Sequence, residues 1–512
     1  MLQTISSKEA RFLKLTTFDT NSDFKKRTVR GLTTSIGGEG VLFVVRVASI
    51  AILARLLIPE YFGLLTMVMV VTSIVERLKD LGLANATIQR ISLTHDEVST
   101  LFWINAAGGL AMAVIVAACA WPLALFYGES RLIPMTLVLA TTFVWSGLSI
   151  QHQALLNRQM KYTRLALIQI SAEGLSLLIA VLLALNDAGY WALVAREGLR
   201  GVFYTAGTWT CMPWIPGRPS RSAKVTSMLT FGGHVTAFNL VYFLCSSVDK
   251  ILVGRLMGAT VLGVYRQGSQ LALLPSNQLT YPINNVAQSI LSRLQEDPEK
   301  YQRSYAKLVT ALSGVTMPLM MFLVVFPTET ILIAFGEEWV GGANVLRILA
   351  LACFIESAFS TAGTVTLTCG KSRRYVVMGV FTSLAGVAFY IAGIPWGAEG
   401  IAMGRLVWAW VLIVPTMLWS FKGTPISLRL VANAVVRPLL SSLLMGEVLY
   451  MVKTMVPLDH PLPTLLLGGV LAVPLYFGFW LLMPSGRSEI LGVWNDLTAA
   501  FGQRKNGAVT NT

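Results

Sequence analysis

Long runs of mostly apolar residues, separated by short polar stretches, make up most of this chain. Each run is long enough to cross the ~30 Å hydrocarbon core of a bilayer as a helix. Because the runs lack the period-two alternation of barrel strands, we predict an all-α integral membrane protein with about fourteen spans. A twelve-span count stays open, since a weak pair could merge or drop out. The spans are placed at about 33–57, 60–83, 98–122, 132–156, 164–185, 189–212, 226–255, 259–290, 304–326, 344–368, 375–394, 398–420, 431–452 and 463–484.

Charge is scarce and unevenly placed. Only 13% of residues are charged, against about 25% in an average globular chain, yet the net charge is +14. In a soluble protein that excess would indicate nucleic acid, but here the basic residues collect in alternate connections. Only Arg131, Arg255 and Lys453 fall on the other side. The positive-inside rule then predicts that both termini are cytoplasmic and that anionic lipid headgroups, rather than nucleic acid, are the partners of these charges.

The spans predict two six-helix lobes and two additional helices. The Pro- and Arg-rich segment 213–224 follows the sixth span and is predicted to be a cytoplasmic linker. Arg55-Leu56 and Gly63 recur two hundred residues later as Arg255-Leu256 and Gly263, which indicates duplication. Parallel repeats of this kind predict a substrate path between the lobes near the membrane midplane. The predicted segments are a basic N-terminal segment (1–30), an N-lobe (31–212), the linker, a C-lobe (225–420), spans thirteen and fourteen (421–484) and a cytoplasmic tail (485–512).

Neither a leader nor a redox or metal motif is visible in the sequence. The first thirty residues are polar and basic, so we expect no cleavable signal peptide. The five cysteines are scattered in or beside spans without metal or redox spacing. We therefore expect them to pack as small apolar residues, and we expect no bound cofactor.

Six of the cations inside the predicted spans lie within stretches of mostly apolar residues. A charged side chain at the bilayer centre costs roughly 2.5–3.5 kcal/mol on insertion scales, so we expect the deepest to face a hydrated interior. Such an interior suits an anionic substrate, and the six are predicted to bind it in a central cavity. They are Arg46, Arg196, Arg200, Lys250, Arg266 and Arg405.

Arg196 and Arg200 share one helix face and could together bind a diphosphate. The alternative is local, because Glu197 lies three residues before Arg200 and could neutralise it. Arg46 has a similar alternative partner in Glu39.

Lys250, Arg266 and Arg405 lie in the outer third of their predicted spans. For each of them, snorkelling of the side chain to the outer membrane surface is the alternative to a place in the cavity.

Three intramembrane carboxylates are candidates for coupling transport to H+ or Na+: Glu173, Asp249 and Glu356. None has an obvious partner four residues away on its own helix. Burial raises the pKa of a carboxyl group, which suits a proton carrier. Pairing with the intramembrane cations is the competing interpretation.

Several short motifs resemble one family of transporters. Residues 55–63, Arg-Leu-Leu-Ile-Pro-Glu-Tyr-Phe-Gly, are followed by Asp80-Leu-Gly-Leu83 and Ile88-Gln89. Pro318-Leu319, Phe335-Gly-Glu-Glu-Trp339 and Leu346-Arg-Ile-Leu349 follow in the second half. Together they resemble the polysaccharide transporters of the multidrug/oligosaccharidyl-lipid/polysaccharide exporter superfamily, over most of residues 30–420.

The resemblance implies a flippase, not an enzyme, for polyprenyl-diphosphate-linked oligosaccharides that serve O-antigen, capsule or exopolysaccharide assembly in the bacterial inner membrane. It also implies cavity arginines for the anionic substrate, an ion gradient for reset, and a polysaccharide polymerase and chain-length regulator as further partners.

Two other functions compete with the flippase. An ion-coupled multidrug exporter of the same superfamily should have an acidic cavity, whereas the intramembrane charges here are mostly positive. A membrane-embedded polysaccharide polymerase should have a large external loop, whereas the longest outside connection, around 327–343, is short.

Overall fold

The computed structural model describes residues 24–79, 87, 94–219, 226–484 and 486–487, of which 24–36, 77–79, 226–243, 282 and 357–358 are described by backbone alone. Most of the predicted N-terminal segment and C-terminal tail, the Asp80–Leu83 and Ile88-Gln89 motifs and part of the linker lie outside these residues. Helix is the only regular secondary structure within them. The chain divides into two compact units, Met1–Gly263 and Val264–Thr512. The predicted lobe boundary at 213–224 differs from this division and stays a prediction.

The first unit holds seven complete helices and the first part of an eighth. They are α1 (Phe24–Leu56), α2 (Pro59–Lys79), α3 (His95–Ala118), α4 (Ala120–Tyr127), α5 (Leu132–Arg158), α6 (Tyr162–Leu185), α7 (Trp191–Cys211) and α8 (Thr226–Arg293). Helix α8 is broken at Gly258, whose φ of 84° is not helical, into α8a (226–257) and α8b (259–293).

The second unit continues α8b and adds eight helices. They are α9 (Pro298–Val325), α10 (Pro327–Ala334), α11 (Ala343–Phe359), α12 (Ala362–Thr368), α13 (Ser372–Gly393), α14 (Gly397–Phe421), α15 (Leu428–Met455) and α16 (Pro461–Leu482). Two 3-10 turns, Glu337–Gly342 and Ile394–Trp396, precede α11 and α14. Every one of the fourteen predicted spans therefore coincides with a helix.

Nine stretches of the described chain are long and apolar enough to cross a membrane, and one of them, Ser372–Phe421, contains both α13 and α14. These nine stretches cover ten predicted spans, two to five and nine to fourteen. The remaining spans, α1, α7, α8a and α8b, carry five of the six predicted cavity cations. The described chain is all helical and rich in apolar spans, so the predicted fold class is confirmed.

The two units repeat the same helix pairings. In the first unit α3 packs on α5, α5 on α7, and α6 on α7. In the second, α9 packs on α11, α11 on α14, and α13 on α14. These are the same pairings between the third and fourth, fourth and sixth, and fifth and sixth spans of each repeat. The predicted duplication is therefore a property of the packing as well as of the sequence.

The same helix break is made by different chemistry in the two repeats. Between α1 and α2 the chain leaves the helix at Leu57-Ile58, and Pro59 starts the next helix. Proline suits a first helical position because its missing N–H is not needed there. Two hundred residues later Gly258 makes the break through a left-handed φ that glycine adopts without steric cost.

Two glycines bring these breaks into direct contact within the first unit. A Cβ atom on Gly63 would overlap the carbonyl of Ala259, and one on Gly263 would overlap the carbonyl of Pro59. Position 59 corresponds to 259 and 63 to 263, so the contact is reciprocal, as a two-fold relation requires. The repeated glycine, read in sequence as a weak sign of duplication, is needed for this close backbone approach.

We expect Gly63→Ala to lower the midpoint of thermal unfolding of the full-length protein in detergent. The new methyl group meets backbone that cannot rotate away, and overpacking of this kind costs about 1–3 kcal/mol. Gly108→Ala in α3 is the matched control, because a Cβ there meets nothing within 4 Å and should stabilise the helix slightly. Equal midpoints for the two variants would contradict the contact.

A three-residue ion-pair network holds the loop between α4 and α5 against the start of α2. Arg131 Nη2 donates to Glu60 Oε1 at 2.5 Å, and Arg131 Nε donates to Glu129 Oε1 at 2.8 Å. The hydrogen bond and charge of Arg131 hold the pKa of Glu129 below its usual value. Arg131, predicted as an outer-side cation, therefore cross-links two helix ends.

The stabilising contribution of Glu129 should be present at neutral pH. Because its folded-state pKa is lowered, that contribution is fully present above the usual pKa of a glutamate and is lost as pH falls through the lowered value. We expect the thermal midpoints of wild type and Glu129→Gln to differ at pH 7 and to converge in acid. A difference that widens as pH falls would refute this.

Aromatic and apolar side chains fix the start of the predicted linker. Trp214 is buried in a core cluster with Phe102, Leu155 and Ile168. Its carbonyl oxygen lies 3.1 Å from Nε2 of His152, whose ring stacks on Trp209 at 4.3 Å. His152 is thus a hydrogen-bonded packing residue.

Candidate functional site: buried arginines and carboxylates

A buried carboxylate in the first unit collects three of the six predicted cations. Glu173 lies mid-way along α6 with only 4% of its side chain exposed. Its Oε1 is 3.2 Å from Nη1 of Arg200 and 3.6 Å from Nε of Arg46, and its Oε2 is 3.3 Å from Nη2 of Arg196. The sequence predicted these residues separately, and the structure brings them together.

Glu197 completes this cluster, which we name the Glu173 cluster: Arg46, Glu173, Arg196, Glu197 and Arg200. Oε1 of Glu197 accepts from Arg196 Nη1 at 2.8 Å, and its Oε2 is 2.9 Å from Arg200 Nη2. Three guanidiniums and two carboxylates at ion-pair distance leave one net positive charge when all are ionised. Glu76 in α2 adds a longer-range attraction on Arg200.

Helix packing explains why these side chains meet. Helix α6 packs on both α1 and α7, so Glu173 faces Arg46 on one neighbour and Arg196 and Arg200 on the other. Because Arg196 and Arg200 are four residues apart, they lie one turn apart on the same side of α7. At a rise of 1.5 Å per residue, Glu173 lies roughly 16 Å from the nearer end of α6, and Arg196 and Arg200 lie roughly 8 and 14 Å from the start of α7.

The three arginines differ in exposure, and exposure decides which of them a ligand could reach. Side chains of Arg46 and Arg200 are 46% and 44% exposed, whereas that of Arg196 is 13% exposed. Arg46 Nε lies 3.6 Å from Glu173 Oε1, a longer approach than those of Arg200 (3.2 Å) and Arg196 (3.3 Å) to the same carboxylate. Arg196 is the inner, charge-balancing member, and Arg46 and Arg200 are the members able to bind an anion.

A second buried ion pair lies in the second unit. Arg405 of α14 donates from Nε to Glu356 Oε1 at 3.3 Å and from Nη2 to Glu356 Oε2 at 2.9 Å. This bidentate geometry is the stronger form of an arginine–carboxylate pair. Side chains of Arg405 and Glu356 are 20% and 24% exposed. Arg405 therefore pairs across α11 and α14, rather than snorkelling to a membrane surface.

Lys250 and Arg266 are the remaining two predicted cavity cations. Lys250 Nζ lies 3.6 Å from Oδ1 of Asp249, its neighbour in α8a, and the Asp249 side chain is 6% exposed. Arg266 is half-buried in α8b. The predicted single cavity for all six cations therefore stays a prediction, and the described contacts divide them among separate groups.

Each predicted ion-coupling carboxylate has a cation partner in the structure: Glu173, Asp249 and Glu356. The pairing interpretation of the sequence therefore describes their contacts. A role in coupling is not tested by these contacts. The sequence did not predict that Glu173 contacts three arginines, because these arginines lie on other helices and no short sequence spacing links them to Glu173.

Comparison with solved structures shows which class of fold the chain has. Its fold matches a lipid II flippase, MurJ, in an inward closed conformation, with a TM-score of 0.69 at 14% identity, covering 88% of this chain and 98% of that one. An inward-facing multidrug resistance transporter of the MATE family and MOP superfamily matches with a TM-score of 0.60 at 13% identity, over 74% and 94% of the two chains. The chain thus has the fold of a multi-pass membrane transporter.

The family follows from sequence. A model described as "Polysaccharide biosynthesis protein" matches residues 52–344, more than half of the chain. This protein belongs to that family, which confirms the resemblance.

Two relatives match over most of both chains. The lipopolysaccharide biosynthesis protein WzxC of Escherichia coli (strain K12) is 24% identical over 459 residues, covering 88% of this chain and 89% of the relative. The succinoglycan biosynthesis transport protein ExoT of Rhizobium meliloti (strain 1021) is 22% identical over 430 residues, covering 83% and 86%.

We expect Glu173→Gln to lower the thermal stability of the full-length protein in detergent. The change leaves three guanidiniums with one carboxylate, and breaking a buried pair costs about 3–5 kcal/mol. Glu299→Gln is the matched control, since Glu299 is 81% exposed in a surface pair with Arg303, where about 0–1 kcal/mol is at stake. A Glu173→Gln midpoint as high as that of the control would show that the cluster does not stabilise the fold.

Proposed function

We propose that this protein is a flippase. It moves polyprenyl-diphosphate-linked oligosaccharide repeat units from the cytoplasmic to the outer leaflet of the bacterial inner membrane, for exopolysaccharide, capsule or O-antigen synthesis. The observation that carries the proposal is the half-exposed pair of guanidiniums, Arg46 and Arg200, held in the middle of membrane helices by Glu173 and Glu197. Membership of the polysaccharide biosynthesis family supports the class of substrate.

A diphosphate suits this pair chemically. Each guanidinium carries five N–H donors in a planar fork and stays charged, and a diphosphate offers several acceptor oxygens in return. Nη1 and Nη2 of Arg200 are each oriented by a carboxylate, so the fork is held in place before a ligand arrives. Held in this way, Arg46 and Arg200 bind the phosphates and Arg196 positions the carboxylates.

The membrane potential favours the proposed direction. Moving a negative charge out of a negative-inside cytoplasm releases about 2.3 kcal/mol per charge per 100 mV. The protein then has to shield the polar head from hydrocarbon, through alternating access of its two lobes, while the lipid tail stays in the bilayer. Coupling of the return step to H+ or Na+ through Glu173, Asp249 or Glu356 is part of the proposal.

The orientation rests on the positive-inside rule. Lys371 and Arg374 donate to the carbonyl oxygen of Lys422, and Lys371 also to that of Gly423, just beyond the C-terminal end of α14. Cations are favourable at such an end because the helix dipole is negative there. We assign these basic connections and both termini to the cytoplasm, next to anionic lipid headgroups. A polymerase and a chain-length regulator are the proposed protein partners.

The multidrug exporter is the weaker alternative. A site for cationic drugs requires excess negative charge, whereas the ion pairs of the Glu173 cluster leave one net positive charge. A polymerase would need catalytic groups, and the relatives named above are described by biosynthesis and transport. We therefore propose transport without catalysis.

We expect the double variant Arg46→Ala/Arg200→Ala to accumulate lipid-linked oligosaccharide on the cytoplasmic leaflet while protein levels stay normal. Loss of charge-assisted hydrogen bonds worth about 1.5–3 kcal/mol each should reduce polymer export at least tenfold. Arg196 remains to balance the two carboxylates. The measurement is the leaflet distribution of the lipid-linked repeat unit in cells that depend on this protein for polymer export.

Arg303→Ala is the control, because Arg303 is 75% exposed and pairs with the exposed Glu299 near the start of α9. Wild-type polymer export from a variant that lacks Arg46, Arg200 and Lys250 would refute the assignment of these residues.

A further inference from the structure

Helix α8b carries a buried side chain whose hydrogen-bonding groups are unused. Gln267 is 1% exposed, and neither its Nε2 nor its Oε1 has a hydrogen-bond partner among the residues that the structure describes. Leaving a buried donor or acceptor unpaired costs about 1–3 kcal/mol, and buried polar groups are rarely left so. A partner that is not part of the polypeptide explains the amide.

Gln267 is one of several polar residues on the same side of α8b. At 100° per residue, these side chains fall within an arc of roughly 140°. Thr280 Oγ1 and Asn284 Oδ1 are likewise buried and have no hydrogen-bond partner in the described part of the chain. We name this set the α8b amide face: Gln267, Gln270, Asn277, Thr280 and Asn284.

The opposite side of α8b carries apolar residues such as Leu271, Leu279 and Val286. A membrane helix with one polar side must turn that side towards protein or water, because hydrocarbon offers no hydrogen bonds. From Gln267 to Asn284 the face extends about 25 Å at 1.5 Å per residue, which makes it a track rather than a single pocket.

The corresponding helix of the first repeat shows that the fold itself does not need an amide at the positions of Gln267 and Gln270. Two hundred residues earlier, the positions of Gln267 and Gln270 are occupied by Met67 and Val70 in α2, both buried and apolar. Methionine is close to glutamine in length and shape, so the same place in the packing accepts an apolar side chain. The amides therefore distinguish the second repeat for a reason other than stability.

We propose that the α8b amide face binds the uncharged sugar portion of the lipid-linked substrate. Each amide offers two N–H donors and an acceptor oxygen, which match hydroxyl groups that both donate and accept. The proposal rests on the proposed flippase function and assigns the two parts of the substrate to different side chains. Guanidiniums bind the diphosphate, and neutral amides bind the saccharide without adding charge to the membrane interior.

The test is Gln267→Met, the residue found at the matching position of the first repeat. Full-length wild-type and variant proteins in detergent are titrated with two probes: the lipid-linked repeat unit extracted from the source cells, and polyprenyl diphosphate without sugar. We expect affinity for the sugar-bearing lipid to fall about tenfold and affinity for the sugar-free lipid to stay unchanged. The thermal midpoint of the ligand-free variant should equal or exceed that of wild type, since an unpaired buried amide has been removed.

Gln302→Met is the matched control, because Nε2 of Gln302 donates to the carbonyl oxygen of Pro425 at 2.7 Å. It should lower the thermal midpoint and leave both affinities unchanged. An equal fall for the two lipids, no fall for either, or a lower midpoint in Gln267→Met would overturn sugar recognition by this residue. A wild-type protein that binds neither lipid would instead refute the proposed function.

Discussion

Charge compensation inside the membrane is the constraint on which the rest of this structure depends. The predicted cavity cations lie in its membrane helices, and ion pairs with carboxylates hold Arg46, Arg196 and Arg200 on Glu173, and Arg405 on Glu356. Each pair joins two helices, so the helices that carry function are also cross-linked by it. The same carboxylates that make the arginines tolerable leave Arg46 and Arg200 oriented and partly accessible.

The sequence predicted the helices well and their contacts poorly. Span positions follow from uninterrupted apolar runs, which is a local property, and all fourteen coincide with helices. The convergence of Arg46, Arg196 and Arg200 on Glu173 could not be predicted, because these residues lie on three helices and no short spacing links them. Glu197 was recognised as a partner for Arg200 because it lies on the same helix. Local partners can be predicted from sequence, whereas partners on different helices require the packing.

Comparison of the two repeats separates what the fold needs from what it does not. Both keep the break between their first two helices, one with Pro59 and one with Gly258, and both keep the glycine that follows. Both keep the same three helix pairings. In contrast, Gln267 and Gln270 of α8b replace Met67 and Val70 of α2, and the intramembrane ion pairs join α6 to α7 in one repeat and α11 to α14 in the other. The shared features specify the architecture, and the divergent residues are the ones that can adapt to the chemistry of the substrate.

The reciprocal glycine contact also limits how such proteins can be recombined. Gly63 meets the backbone at residue 259, and Gly263 meets the backbone at residue 59, so within the first unit each of the segments 59–63 and 259–263 supplies the backbone against which the other segment's glycine packs. A chimaera that joins halves from two distant relatives inherits one member of each interlocked pair from each parent. Evolution by exchange of whole halves is therefore restricted to parents that preserve both backbone paths, while divergence of facing side chains elsewhere proceeds within each half independently.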